Sequence, residues 1–177
     1  MLQIDRKNCF EELYAIYVAS FPDQERRTKM AQRRILDHPY YHVNAVEEAG
    51  EIKAFLGYWD LPGCVFLEHL ATAEQSRGKG YGRLLVEETV KAVLKPVFLE
   101  IEPVTVDDPV TGKRAEFYKR LGFYINDFFY EQMPLKPQDS PLPLWIVSYK
   151  GPISSEEFIP FKKEIYETVY GVRLKSS

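Results

Sequence analysis

The sequence predicts a mixed α/β domain in which helices flank a central sheet that is mostly antiparallel and contains one parallel strand pair. Strand-like apolar runs over 40–47, 52–59 and 64–72 are separated by short turns, which is typical of an antiparallel meander. A helical pattern of apolar residues over 84–94 leads to another strand-like run over 97–102. Because a helix joins the third run to the fourth, we expect these two strands to lie parallel with a right-handed crossover.

The N-terminal part of the chain predicts one short strand and two helices before the meander. Residues 2–5 alternate between apolar and polar side chains and indicate the strand. Apolar residues at helical spacing predict a first helix that begins near Asn8 and ends before Pro22. A second helix is expected from Thr28 to Asp37.

The last part of the chain predicts two helices and two strands. After a loop over 103–112, we expect a helix over 113–121 that ends at Gly122, strands over 123–133 and 142–149, and a helix from Ser154 to about Tyr170. No composition shift suggests a linker. We therefore expect one domain over residues 1–177, with 154–177 as a C-terminal helical extension.

Length and composition favour an ordinary globular protein. The chain has 177 residues, 45% of them hydrophobic, enough to bury a full core. Its formal net charge of −3 gives no reason to expect nucleic acid as a partner. Apolar runs are too short to span a membrane, and Cys9 and Cys64 resemble buried free thiols of a reducing compartment. We expect a cytoplasmic location and no metal, and the sequence leaves a homodimer open.

A glycine-rich and basic stretch, residues 75–83, lies between the third strand and the helix that follows it. Its glycines are Gly78, Gly80 and Gly82, its cations are Arg77, Lys79 and Arg83, and Tyr81 lies among them. Glycine allows the backbone to reach positive φ and to approach a phosphate closely. A strand, a glycine turn and a helix together direct backbone N–H groups and the helix dipole towards an anion. The stretch therefore predicts a pyrophosphate site, although such a turn can also simply cap a helix.

The spacing of the glycines distinguishes between known phosphate loops. A P-loop requires Ser or Thr after a Gly-Lys pair, and the dinucleotide fingerprint requires G-x-G-x-x-G, whereas the three glycines here alternate as G-x-G-x-G. The order Arg77-x-x-Gly80-x-Gly82 resembles the acetyl-coenzyme A loop of the GNAT N-acetyltransferases. A nucleotide-binding protein is the less favoured interpretation.

A second motif supports the same resemblance. Residues 115–123, with the sequence AEFYKRLGF, are similar to the second GNAT signature, A-x-x-F-Y-x-x-x-G-F in loose form, with Arg114 at the place of the alanine that is often found four residues before the tyrosine. The motif lies on the expected element, a short helix between two strands. Judged by the order of elements, the resemblance covers residues 2–150.

The resemblance implies transfer of the acetyl group of acetyl-coenzyme A to a primary amine by direct attack in a ternary complex. In the family the parallel strand pair splays apart, and the pantetheine arm pairs with the first strand of that pair, here with Leu70, Ala71 and Thr72. The pyrophosphate would bind backbone amides over 77–82. Tyr118 occupies the position of the family's general acid, which protonates the leaving thiolate; a packed aromatic side chain is the alternative.

The attacking amine must lose a proton, because a lysine-like amine has a pKa of about 10.4 in water. Glu68 is our first candidate for the base, because a carboxylate in an otherwise apolar strand is costly without a function or a partner. Strand alternation places Glu68 and His69 on opposite faces. Glu100 and Glu102 on the next strand are rivals and candidate acceptor-binding residues, and a water relay would remove the need for a direct base.

A non-catalytic acyl-coenzyme A sensor or interaction module on the same fold is the alternative function. The tyrosine of the second motif and the candidate bases favour an enzyme. The sequence does not identify the amine, because acceptor loops are the variable part of such folds.

Overall fold

The computed structural model describes residues 9–174, so the predicted strand over 2–5 and the predicted helix start at Asn8 lie outside the described part. The helices of five residues or more are α1 (Phe10–Ser20), α2 (Lys29–Ile35), α3 (Tyr81–Lys91), α4 (Pro109–Arg120) and α5 (Ser155–Thr168). The strands are β1 (Tyr41–Glu48), β2 (Glu51–Asp60), β3 (Val65–Thr72), β4 (Val97–Ile101), β5 (Phe123–Asn126), β6 (Glu131–Gln132), β7 (Leu142–Pro143) and β8 (Trp145–Tyr149).

The predicted fold class is confirmed. Six strands follow the order β1-β2-β3-β4-β8-β5 in a mixed sheet that is mostly antiparallel. The parallel pair is β3 and β4, the two strands that α3 connects, and the Val65 N–H donates to the Pro96 carbonyl at 2.8 Å where the pair begins. β1 and β2 form the predicted hairpin, whose turn contains Gly50 at φ +78°.

The chain divides into two compact units, and the first comprises residues 9–60 and 67–94 of the described part. It contains α1, α2, β1, β2, most of β3 and α3. Buried apolar residues of the two hairpin strands, among them Ala45, Phe55 and Leu56, form its core. A buried polar contact links α3 to β1: the Asn44 amide donates to the Thr89 hydroxyl at 2.9 Å.

The second unit comprises residues 61–66 and 95–174 of the described part. It contains the first two residues of β3 together with β4, α4, β5, β6, β7, β8 and α5. Phe98 packs against Phe158 and Phe161 of α5, with ring centroids 5.1 and 4.9 Å apart. The Gly63 N–H donates to Glu164 of α5 at 2.8 Å, so α5 also supports the turn that precedes β3.

The structure corrects the predicted extent of α4 and of the last two predicted strands. Helix α4 begins at Pro109 rather than at residue 113, because Asp108 caps the Val110 N–H at 3.1 Å and proline is favoured in the first turn. The expected strand over 123–133 is two strands in different sheets, β5 and β6. The expected strand over 142–149 is interrupted at Leu144, where the chain passes from β7 to β8.

Candidate active site

The glycine turn of the first unit has the geometry of an anion site. After β3 a short 3₁₀ turn over Glu74–Ser76 leads into Gly78 at φ +78° and Gly80 at φ +83°. Gly80 caps α3 in the left-handed conformation, and the helix's backbone bonding begins with Leu84 N–H to the Gly80 carbonyl at 3.0 Å. The N–H groups of residues 81–83 precede that bond, as at the start of any helix. Their positive ends therefore mark a site suited to an anion.

The three predicted cations of this turn are not equivalent. The Arg77 and Lys79 side chains are exposed, whereas Arg83 donates to Glu87 one turn along α3 at 2.8 Å. Tyr81 donates to the Glu48 carboxylate of β1 at 2.7 Å, which fixes the start of the helix against the hairpin. Arg77 and Lys79 are consequently better placed than Arg83 to add positive charge for a bound phosphate.

The last part of β3 is only partly buried. Ala71 is buried, Leu70 and Thr72 are half-buried, and the Ala73 N–H closes the strand on the Lys53 carbonyl of β2 at 2.9 Å. Glu68 is partly exposed as a residue although its side chain is only 2% exposed, so its exposed surface belongs to the main chain. Accessible main chain of this kind can pair with amide groups of an extended ligand.

The Glu68 carboxylate lies in a buried ion pair with Arg27. The two Arg27 nitrogens lie 2.8 and 2.7 Å from Oε1 and Oε2 of Glu68, and the Trp59 indole N–H donates to Oε1 at 3.0 Å. Burial alone would raise the pKa of Glu68, but the Arg27 charge and the hydrogen bonds from Arg27 and Trp59 lower it below its ordinary value. Direct contact between this carboxylate and an acceptor amine would require the pair to open.

His69 belongs to the same cluster as Glu68 and Arg27, although neighbouring residues of a strand ordinarily point to opposite faces of the sheet. Its Nε2 lies 3.1 Å from the Glu25 carbonyl, its Nδ1 lies 3.6 Å from Glu68 Oε1, and its ring packs edge-on against Tyr17 and Phe21. Burial lowers the pKa of His69 in spite of the opposing Glu68 charge, so the imidazole is neutral at neutral pH. Strand alternation therefore does not separate the two side chains, because both reach the segment that joins α1 to α2.

Tyr118 lies on α4 in the second unit and is half-buried. Its ring packs edge-on against Phe117 and Phe123, with centroids 5.0 and 5.7 Å away. Burial raises the pKa of Tyr118 to about 12, although the Arg114 charge acts in the opposite direction. The phenol therefore keeps its proton throughout the neutral range and can donate it.

The two carboxylates predicted near β4 have different environments. Glu100 accepts hydrogen bonds from the Tyr130 and Tyr170 hydroxyls, each at 2.5 Å, and from the Gln132 amide at 3.4 Å. Glu102 lies just beyond the end of β4, is 36% exposed and is 3.7 Å from Arg114. Sequence reasoning missed the two tyrosines, since they are 30 and 70 residues from Glu100.

Within residues 9–174, no group of three His, Cys, Asp or Glu side chains is arranged to hold a metal ion. In the same part of the chain, no helix is both long and apolar enough to cross a membrane.

Comparisons with known proteins give a consistent assignment. YjbC of Bacillus subtilis (strain 168), named a "putative acetyltransferase", is 28% identical over 154 residues, which are 85% of this chain and 77% of that protein. A solved protein of Bacteroides thetaiotaomicron, described as a "putative acetyltransferase from GNAT family", is 27% identical with a TM-score of 0.84 and covers 97% of this chain and 98% of its own.

More distant structures share the fold. The ribosomal-protein-S18-alanine N-acetyltransferase of Escherichia coli has a TM-score of 0.62 at 16% identity over 88% of this chain and 95% of its own. An aminoglycoside 6′-N-acetyltransferase in complex with coenzyme A has a TM-score of 0.56 at 16% identity, over 87% of this chain and 98% of its own. Residues 9–123 match the model of the acetyltransferase (GNAT) family, whose members use acetyl-coenzyme A. This chain belongs to the acetyltransferase (GNAT) family.

Proposed function

We propose that the protein transfers the acetyl group of acetyl-coenzyme A to a primary amine by direct attack in a ternary complex. The observation that carries the proposal is the glycine turn, where Gly78 and Gly80 adopt positive φ at the start of α3 beside the exposed Arg77 and Lys79. Backbone amides over 77–82 would hold the pyrophosphate, and the two cations would add charge. Gly82 and Tyr81 shape the first turn of the helix.

The acetyl end of the cofactor is proposed to lie along the end of β3. The main chain of Leu70, Ala71 and Thr72 would pair with the pantetheine arm, and a backbone N–H of Leu70 or Ala71 would stabilise the tetrahedral oxyanion. The accessible main chain at Glu68 supports contact with an extended ligand in this region.

Tyr118 is proposed to protonate the thiolate of coenzyme A as the tetrahedral intermediate collapses. The amine nitrogen forms the new amide bond, the C–S bond breaks, and the phenolic proton moves to sulfur. The raised pKa of Tyr118 keeps the proton on the phenol at neutral pH, so the acid form is the one available to the thiolate.

The acceptor of the amine proton stays a prediction. Glu68 is our first candidate, and its burial against Arg27 favours a route through a water molecule over direct contact. Glu100, Glu102 and solvent are the rivals. If one of these carboxylates accepts the proton, its glutamine variant should have a lower turnover at neutral pH. That turnover should recover as the pH approaches the pKa of the amine.

The test is a screen for acetyl transfer with release of free thiol as the readout. The acceptors are spermidine, an aminoglycoside, a lysine peptide with blocked ends and a peptide with a free N-terminus. Transfer to at least one of them, with one thiol released per acetylated amine, supports the proposal. Binding of coenzyme A without transfer to any of them would indicate the non-catalytic sensor instead. A cytoplasmic location and a homodimer remain predictions of the sequence.

A further inference from the structure

The α1–α2 connector, residues 21–28, is anchored on β3 through Arg27. Arg27 is 6% exposed, whereas the other residues of the connector are exposed or half-buried. Two main-chain hydrogen bonds within the connector, at 3.0 and 3.2 Å, close one short 3₁₀ turn over Asp23–Glu25. Because these bonds are local, the attachment to β3 depends on side chains, and above all on the buried pair of Arg27 with Glu68.

The hydrogen bond of His69 to the connector fixes its tautomer. Nε2 lies 3.1 Å from the Glu25 carbonyl, which can only accept, so the ring proton is on Nε2 and Nδ1 carries a lone pair. Within residues 9–174, Nδ1 is buried and has no hydrogen-bond partner, and the whole residue is 3% exposed. An acceptor nitrogen that lacks both water and a donor is unusual in a protein interior. This nitrogen is the one that a further proton would occupy.

The oxygen of Glu68 that lies nearest to Nδ1 is already fully engaged. Oε1 accepts from Arg27 Nη1 at 2.8 Å and from the Trp59 indole N–H at 3.0 Å, and His69 Nδ1 lies 3.6 Å from it. A carboxylate oxygen offers about two lone-pair sites, and both are in use here. A proton on Nδ1 would therefore gain a good hydrogen bond from Oε1 only if Arg27 or Trp59 gave up its own.

A proton on His69 would also add a charge to a cluster that is neutral overall. The charged or titratable side chains that face the ring are Tyr17 of α1, Arg27 of the connector and Glu68 of its own strand. Burial and the Glu68 charge raise the pKa of Tyr17, so its phenol stays neutral. The charges of Arg27 and Glu68 cancel. An imidazolium would thus be a second buried cation that competes for one carboxylate, and such a charge is unfavourable in the interior.

We propose that protonation of His69 releases the α1–α2 connector from β3, so that this cluster acts as a pH switch. The imidazolium takes the place of Arg27 at Oε1 of Glu68, and the guanidinium moves into water. Arg27 yields because it lies on a segment that is otherwise at the surface, whereas Trp59 is 1% exposed on β2. Since burial lowers the pKa of His69 in the closed arrangement, the proton binds more readily once the connector is open.

Amide hydrogen exchange of the full chain tests the switch. It is measured by mass spectrometry at pH 7.5 and at pH 5.5 and corrected for the chemical exchange rate at each pH. We expect the protection of residues 21–28 to fall by up to about tenfold, the limit for one histidine with a pKa of about 6.5 in the open state. Protection of the β1–β2 hairpin, residues 41–60, should stay the same, because the opening is local.

Two histidine variants separate His69 from the other groups that titrate in this range. His69→Gln removes the titrating ring and should abolish the fall in protection of the connector. His42→Gln makes the same change on β1, where the ring stacks on Tyr58 with centroids 5.4 Å apart. Alternation places His42 on the hairpin face opposite to that of Trp59, so this variant should keep the fall seen in the wild type.

An NMR titration of the wild type keeps the test independent of how the variants fold. The His69 ring nitrogens, the Trp59 indole N–H and the backbone N–H of Arg27, which donates to Tyr17, should shift with one common midpoint below about pH 6.5. If His69 titrates while the Arg27 signal stays in place, the proposal is wrong.

Two exchange results would also overturn the switch. Equal loss of protection in the connector and in the hairpin would mean that acid loosens the unit as a whole. An undiminished fall in His69→Gln would assign the pH dependence to another group. None of these measurements needs an amine or acetyl-coenzyme A, so the switch is tested separately from the proposed acetyl transfer.

Discussion

Arg27 and Glu68, 41 residues apart, form a bidentate ion pair with contacts of 2.8 and 2.7 Å. Arg27 is 6% exposed and the Glu68 side chain 2% exposed, so both charges are withdrawn from water. The backbone N–H of Arg27 also donates to the Tyr17 hydroxyl at 2.8 Å. The pair thus links the connection between α1 and α2 to the strand expected to carry the acetyl group.

We predict a strong energetic coupling between these two residues. Arg27→Met or Glu68→Gln alone should lower the free energy of unfolding by about 3–5 kcal/mol, because each leaves its partner's charge buried without a counterion. The double variant should lose much less than the sum. Denaturant unfolding of the four proteins gives the coupling, and the exposed pair of Lys29 and Glu11, with side chains 52% and 69% exposed, should couple by less than about 1 kcal/mol. Additive losses at Arg27 and Glu68 would contradict the pair.

The neutral, buried His69 predicts a loss of stability on mild acidification. Its folded pKa is lowered, so below its unfolded value of about 6.5 the unfolded chain binds the proton more readily than the folded chain. Stability should therefore fall as the pH decreases from 7 to 5, by at most about 1.4 kcal/mol per pH unit for one proton. His69→Gln should flatten this slope in denaturant unfolding measured at several pH values. An unchanged slope in the variant would mean that the pKa of His69 is the same in the folded and unfolded states.

Gly80 is predicted to be needed for the cofactor rather than for the fold. A Cβ there meets no atom within 4 Å, and the same is true of Gly50 in the β1–β2 turn, which has a similar φ of +78°. Alanine at either position should cost about 1–2 kcal/mol of stability, because both backbones are left-handed. Only Gly80→Ala should weaken coenzyme A binding, by about tenfold or more, since only its Cβ is added at the proposed phosphate site. Equal affinities of the two variants in calorimetry would place the phosphates elsewhere.

Tyr118→Phe is predicted to lower turnover on the order of 10²-fold while coenzyme A binds as before. The variant removes only the hydroxyl, and the ring packing against Phe117 and Phe123 can persist. Because the pKa of Tyr118 is raised to about 12, the phenol should cause no fall in wild-type kcat between pH 7 and 10. Tyr124→Phe, a change to an exposed tyrosine, is the control. Wild-type turnover in Tyr118→Phe would assign the residue to packing.

Local patterns were sufficient to predict most of the fold. The meander, the glycine turn and α3 depend on alternation, helical spacing and glycine conformation, all of which act over a few residues. The sequence also contained a signal for the early start of α4. Asp108 followed by Pro109 is a helix cap with a proline in the first turn, and our prediction did not take it into account. The two-residue strands β6 and β7 gave no such signal, because a proline-containing segment separates them and each is too short to show a period.

The partners of the candidate site residues could not be predicted, because they are set by tertiary packing. Glu68 was recognised as a costly carboxylate that needs a partner or a function, but nothing local pointed to Arg27. The same holds for Glu100 and Tyr170, which an entire α4, β5, β8 and α5 separate in sequence. Sequence reasoning identified which side chains were unusual for their element, and the structure identified their contacts.

The most direct test of acetyl transfer is to follow both products of one reaction. Purified protein is incubated with acetyl-coenzyme A and each amine of the panel. Free thiol is measured with a chromogenic disulfide, and the molecular mass of the amine is measured by mass spectrometry. The account predicts an amine that gains one acetyl group for each thiol released, at a rate that falls sharply in Tyr118→Phe and not in Tyr124→Phe. Thiol release without an acetylated amine, or no release above the protein-free control with any amine, would contradict it.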